Sequence, residues 1–203
     1  MAELLLLCAV LAMLELDTTY LGQFLISRPT VVGCILGYLT GNFFVGLQLG
    51  LFTELIYLDF IPIGGVVPPS GAISAGTAVL MVHFFRMDVH FAFFVGIICG
   101  VLFAFVERKL RSFRSSTLGA TEAKILDGRL SPGMALFESL LFQFLAVFSF
   151  LLLTITVIGP LFALVNNDIP EKLHIAFKFS YFIVPWVGLS ILFVSFSTKP
   201  KAD

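Results

Sequence analysis

Glu54 is the residue in this chain most able to do chemistry. It is the only charged side chain between Thr30 and Leu58, in a run dominated by Leu, Ile, Val, Phe and Gly. A carboxylate at membrane depth is costly, and one that is retained there usually faces a bundle interior or a substrate path. It can accept hydrogen bonds from the hydroxyls of a neutral polyol or sugar, bind a proton, or bond backbone groups freed by nearby glycines. Gln48, Asn42 and Ser70 add neutral donors and acceptors to the same stretch, with Pro68-Pro69 just before Ser70. That mixture suits a ligand with many hydroxyls and no charge. Asp59 reads equally as a functional group or a solvated turn residue, and Glu15 and Asp17 as helix-end caps or members of a conduction path. Glu138 begins a long apolar run and reads as a helix-start charge favoured by the helix dipole.

No catalytic set accompanies these groups. His83, His90 and His174 are scattered, and HExxH, GxSxG and P-loop patterns are absent from the sequence. Catalysis and ATP hydrolysis by this chain alone are therefore not expected, nor is any cofactor. Cys8, Cys34 and Cys99 have no metal-ligand spacing and read as buried apolar thiols.

The elements that must position Glu54 are those of a membrane protein. Of 203 residues, 59% are hydrophobic and 12% charged, against about 25% charged in soluble domains. Mean hydropathy is +1.04. The apolar runs do not alternate with polar residues, which excludes the pattern of a transmembrane barrel. A net charge of −1 gives no reason to expect nucleic acid. Met1-Ala2-Glu3 lacks the positive region of a cleavable leader.

A spanning helix needs about 20 mostly apolar residues. The stretches 139–165 and 179–198 meet this, 91–106 is a shorter candidate, a further helix is expected to start near Ala72, and the first apolar segment begins at Leu4. Residues 30–60 are too short for two full spans and a turn. With Gly41-Asn42 near the middle, they predict a re-entrant pair of half-helices or two short tilted ones. The expected fold is a single all-α polytopic domain over 1–203, with five to seven membrane segments, one of them re-entrant. Residues 107–134 carry half of the Lys and Arg and predict a cytoplasmic loop. Within 17–76, closely spaced glycines and prolines interrupt the apolar run, the trace of a transporter's binding region.

The ordered series Asp17, Gly22, Arg28-Pro29, Gly33, Gly37, Gly41, Gly46, Gly50, Glu54-Leu55, Pro62-Ile63-Gly64 and Pro68-Pro69 resembles the IIC component of the mannose/fructose/sorbose family of the bacterial phosphoenolpyruvate-dependent sugar phosphotransferase system. The resemblance covers residues 17–76 well and is mostly hydropathy beyond. It implies a non-catalytic, multi-pass permease subunit of the inner membrane that pairs with a IID membrane chain, in complexes that are often multimeric. Soluble IIA and IIB partners carry phosphate, and IIB phosphorylates the sugar. It also implies a substrate region at Glu54 and the Pro68-Pro69-Ser70 turn. The family often has aspartates where this chain has Asn42 and Ser70, which bears on sugar affinity and specificity. The alternative is a non-transporting regulatory or assembly subunit of a degenerate phosphotransferase system. An unrelated small-solute transporter would require the glycine/proline series to be coincidence.

Overall fold

The computed structural model describes residues 1–18, 22–58 and 66–197. Asp59 and the Pro62-Ile63-Gly64 motif lie outside the described residues. The described chain is all helix and connection: α1 (Ala2–Leu16), α2 (Pro29–Leu39), α3 (Phe43–Ile56), α4 (Gly71–Phe85), α5 (Val89–Leu126), α6 (Pro132–Leu153), a π-helical turn (Thr154–Ile158), α7 (Gly159–Asp168) and α8 (Glu171–Ser197).

The segment 30–60 forms the two short helices its glycines and length predict. Pro29 opens α2 at a position where its missing N–H costs nothing. Gly41, at φ +73°, turns the chain into α3. The two helices then pack backbone to backbone. A Cβ on Gly33 would fall on the carbonyl oxygen of Gly46, and one on Gly37 would sit 3.0 Å from the Gly46 Cα. Only glycine permits that approach. At about 1.5 Å per residue, α2 and α3 rise roughly 17 and 21 Å, short of a hydrocarbon core of about 30 Å.

Helix α4 is the hub. Every residue from Ala72 to Met81 is buried, as expected for a helix apolar on all sides, and it packs against α1, α2, α3, α5 and α7. Gly96 and Gly100 of α5 lie against Ser74 of α4, giving a second close helix pair. Among the described residues, three helical stretches are long and apolar enough to cross a membrane: Val89–Leu126, Pro132–Asn166 and Glu171–Ser197. They bury progressively less of themselves, 50%, 28% and 17% of their apolar windows, so α6 to α8 form the outer layer and present Leu, Phe and Val outward. The π-helical turn lies just before Gly159-Pro160. Pro160 has no N–H to continue the ladder, and the register slips there.

One structural expectation changes. Residues 107–126 are not a loop but the continuation of α5, whose helix runs unbroken for 38 residues. Charge ended the apolar run in the sequence, but nothing in 107–126 breaks a helix. The real break is Gly128, at φ +70°, followed by the Ser131 cap and Pro132 of α6.

Candidate functional site

A cavity of about 530 Å³ lies between the α2–α3 pair, the segment leading into α4, and a wall made by α1, α5 and α6. That volume falls within the usual range for small-molecule sites. Its polar groups come from distant parts of the chain and converge because α4 brings both walls together.

On one wall, Glu54 of α3 reaches the start of α2. Its Oε2 accepts hydrogen bonds from the Thr30 N–H (3.2 Å) and the Thr30 hydroxyl (2.5 Å). The Arg28 guanidinium stands 3.6 Å from its Oε1. The carboxylate thus caps the exposed N–H groups that every helix leaves at its N-terminus. It remains about a quarter exposed, at 27%, so capping does not use up its accepting capacity.

The turn into α4 forms the floor. Pro68 and Pro69 cannot donate backbone hydrogen bonds, and the Ser70 N–H that follows donates to the Gly100 carbonyl of α5 (3.3 Å). The Ser70 hydroxyl accepts from the Ile73 N–H (3.1 Å), capping α4, and lies 3.0 Å from both carboxylate oxygens of Glu15, to which it donates. Glu15, at the end of α1, is buried. The family resemblance implies an aspartate at many members' equivalents of Ser70, a departure in this chain. The structure holds a carboxylate beside that position from another helix.

The opposite wall carries groups that sequence reasoning did not single out. Glu107 of α5 is 6% exposed. Its Oε1 accepts from Arg111 Nε (2.8 Å) and Arg114 Nη2 (3.3 Å), and its Oε2 from Gln143 Nε2 of α6 (2.8 Å). Glu107, Arg111 and Gln143 all line the cavity. One signal was present in the sequence: Gln143 is the single amide in the uncharged run 139–165. Glu107 was masked by the basic residues that follow it.

Asp17 organises the approach without lining the cavity. As the residue that ends α1, it accepts backbone hydrogen bonds from Phe24 (2.8 Å), Ile26 (2.8 Å) and Ser27 (3.3 Å). These hold a connection in which Gly22, Gln23 and Leu25 all have positive φ, and so they fix the entry to Arg28.

Of the sequence-predicted site residues, Glu54, Pro68, Pro69 and Ser70 meet in this cavity. Gln48 and Asn42 do not. Gln48 is exposed on α3. Asn42 is exposed at the α2–α3 turn and borders a separate hollow with Thr40, His83 and Arg86.

Solved structures share this fold. One, described only as a membrane protein, aligns with a TM-score of 0.80 at 17% identity, over 98% of this chain and 81% of the other. The mannose transporter ManYZ, in complex with microcin E492, aligns with a TM-score of 0.63 at 19% identity over the same shares. These likenesses establish the fold. No curated protein sequence matches significantly. The family model for the sorbose-specific IIC component of the phosphotransferase system matches residues 1–201. With that match across the whole helical domain, and not only across the glycine/proline region, the chain belongs to the sorbose-specific IIC family of the phosphotransferase system, a family of multi-pass membrane permease subunits.

Proposed function

We propose that this chain is the IIC permease subunit through which a hexose or related sugar crosses a bacterial cytoplasmic membrane. Partner subunits phosphorylate the sugar on arrival: a IID membrane chain completes the path, and soluble IIA and IIB chains supply the phosphate. The observation that carries the reading is the convergence of Glu54, Glu15 and Ser70 on one cavity roomy enough for a sugar. Carboxyl groups and a hydroxyl suit a ligand rich in O–H groups, and the part-exposed Glu54 carboxylate supplies a charged acceptor of the stronger kind.

The two walls suggest the transport step. The α2–α3 pair is a small rigid unit held by its glycine seam. It touches the rest of the chain mainly through α4 and α8. A rigid-body displacement of that unit against the α1–α5–α6 wall would open the cavity to one side and close it to the other, the usual form of alternating access. Binding energy for the sugar would come from groups on both walls, so a bound sugar favours the closed arrangement.

The test is phosphoenolpyruvate-driven uptake of a labelled hexose panel. It uses membrane vesicles supplied with cytosol, from the native strain and from one lacking only this chain. Loss of phosphorylated uptake of one sugar in the deletion strain, with Glu54→Gln reproducing the loss, supports the reading. Unchanged uptake across the panel transfers the weight to a regulatory or assembly subunit.

A further inference from the structure

We propose that Gln143 determines sugar specificity, its side-chain Oε1 accepting a hydrogen bond from one hydroxyl of the transported sugar on the α5–α6 wall of the cavity. The inference rests on the cavity being the sugar path and adds a contact from the wall facing Glu54.

Gln143 is 2% exposed, and its Oε1 has no hydrogen-bond partner. A buried amide carbonyl left without a donor is costly, and native structures rarely keep one without a purpose. Among the described residues, few buried side-chain polar atoms lack a partner. Gln143 Oε1 differs from the orphaned oxygens of Thr154, Asn166 and Tyr181 in belonging to a residue that lines the cavity.

The orientation of the amide is fixed. Its NH₂ group donates to Glu107 Oε2 at 2.8 Å. Turning the amide over would set an oxygen against that carboxylate oxygen, so Oε1 is held on the other side. Glu107 is held in turn by Arg111 and Arg114. A neutral acceptor on a cavity-lining residue is thereby held in place by an ion-pair network that does not itself need to contact the ligand. The required partner is a donor: an alcohol O–H suits it, whereas a fluorine or a second carbonyl does not. A site built to bond a particular hydroxyl rejects analogues that lack it far more strongly than an apolar pocket rejects a missing methylene.

The experiment is inhibition of vesicle uptake by monodeoxy and monodeoxyfluoro analogues of mannose, fructose and sorbose, with unaltered chain, Gln143→Met and Glu54→Gln. In the unaltered chain, one hydroxyl position should stand out, its deoxy and fluoro analogues both inhibiting roughly 5- to 100-fold less well than the parent sugar. In Gln143→Met, which keeps the side-chain length, that position should lose its distinction, to within about twofold. Positions read by other groups should keep theirs. Should Gln143→Met fail to accumulate in the membrane, Gln143→Lys decides. Its ammonium still donates to Glu107 but carries no acceptor, so the same position should lose its distinction, and a Gln143→Lys chain that keeps it overturns the assignment.

A Gln143→Met chain that discriminates every position as the unaltered one does overturns the assignment. So does one that weakens all analogues equally, since support of Glu107 alone would do that. If Glu54→Gln abolishes uptake in either case, the cavity reading stands and only Gln143 falls. If neither variant changes uptake or inhibition, or if no member of the panel is transported, the sugar-path reading fails and the assignment fails with it.

Discussion

The hydroxyl of Ser70 sits 3.0 Å from both carboxylate oxygens of Glu15, joining the cap of α4 to the end of α1 across 55 residues of sequence. The same oxygen accepts from the Ile73 N–H, so one atom ends one helix contact and begins another helix. Ser70→Ala should cost about 1–3 kcal/mol, combining a lost N-cap with a buried carboxylate deprived of a donor. The thermal midpoint of the purified chain in detergent measures it. Ser70→Asp should destabilise further by setting two carboxylates together, and Ser70→Asp/Glu15→Ser should recover most of the loss, because one carboxylate and one hydroxyl then remain.

Glu54 is expected to matter more for transport than for folding. It is partly exposed, and its partners Arg28 and Thr30 are close in the fold but not deeply buried. Glu54→Gln should reduce uptake at least tenfold while moving the thermal midpoint by a few degrees at most. Thr30→Val removes the hydroxyl that orients the carboxylate and should raise the apparent KM by about 3- to 10-fold, the loss of one modest hydrogen bond. Equal effects of both changes on stability and on uptake would mean that the pair is purely structural.

The glycine seam makes a sharper structural prediction. Gly33, Gly46 and Gly50 each face backbone of the partner helix: Gly46, Gly33 and Pro29 respectively. Backbone cannot rotate away as a side chain can. Alanine at any of the three should force α2 and α3 apart and lower the amount of folded chain recovered from membranes. Gly119, mid-helix in α5 with open space around it, is the control. Gly119→Ala should be neutral or stabilise by up to about 1 kcal/mol.

The Glu107 network should respond asymmetrically. Glu107→Ala removes the acceptor shared by Arg111, Arg114 and Gln143 and leaves the Gln143 NH₂ buried without a partner. Arg111→Ala removes one of three donors from a side chain that is 44% exposed. The first should cost about 3 kcal/mol or more, the second under about 1 kcal/mol. Urea- or heat-induced unfolding of the two variants side by side gives the comparison.

Asp17 predicts a local effect. Asp17→Ala releases three backbone N–H groups of the connection before α2, whose positive-φ residues Gln23 and Leu25 are unfavourable without that hold. Limited proteolysis should show faster cleavage between Gly22 and Ser27 than in the unaltered chain. The α5–α8 helices should remain protected.

Solvent and broad architecture were legible from composition and pattern. Hydropathy and low charge require a bilayer, and a core that offers no hydrogen bonds admits only helices or closed barrels, of which the non-alternating apolar runs leave helices. The length of 30–60 and its Gly41-Asn42 turn pointed to a re-entrant pair or two short tilted helices, and the glycine series pointed to close packing, because small residues let backbones approach. Glu54 and Ser70 were legible because polar groups in apolar runs are costly enough to need a reason. Convergence came from the packing of the helices. Gln48 and Asn42 share Glu54's stretch but not its cavity, since a helix turns about 100° per residue and α3 aims Gln48 elsewhere, while Asn42 sits at the α2–α3 turn at the other end of α3 from Glu54. Glu15, Glu107 and Gln143 come from three helices remote in sequence, and local pattern says nothing about which faces α4 brings together. The basic run after Glu107 marked a change of environment, but it did not end the helix, because charge alters where a helix sits without breaking its hydrogen bonds.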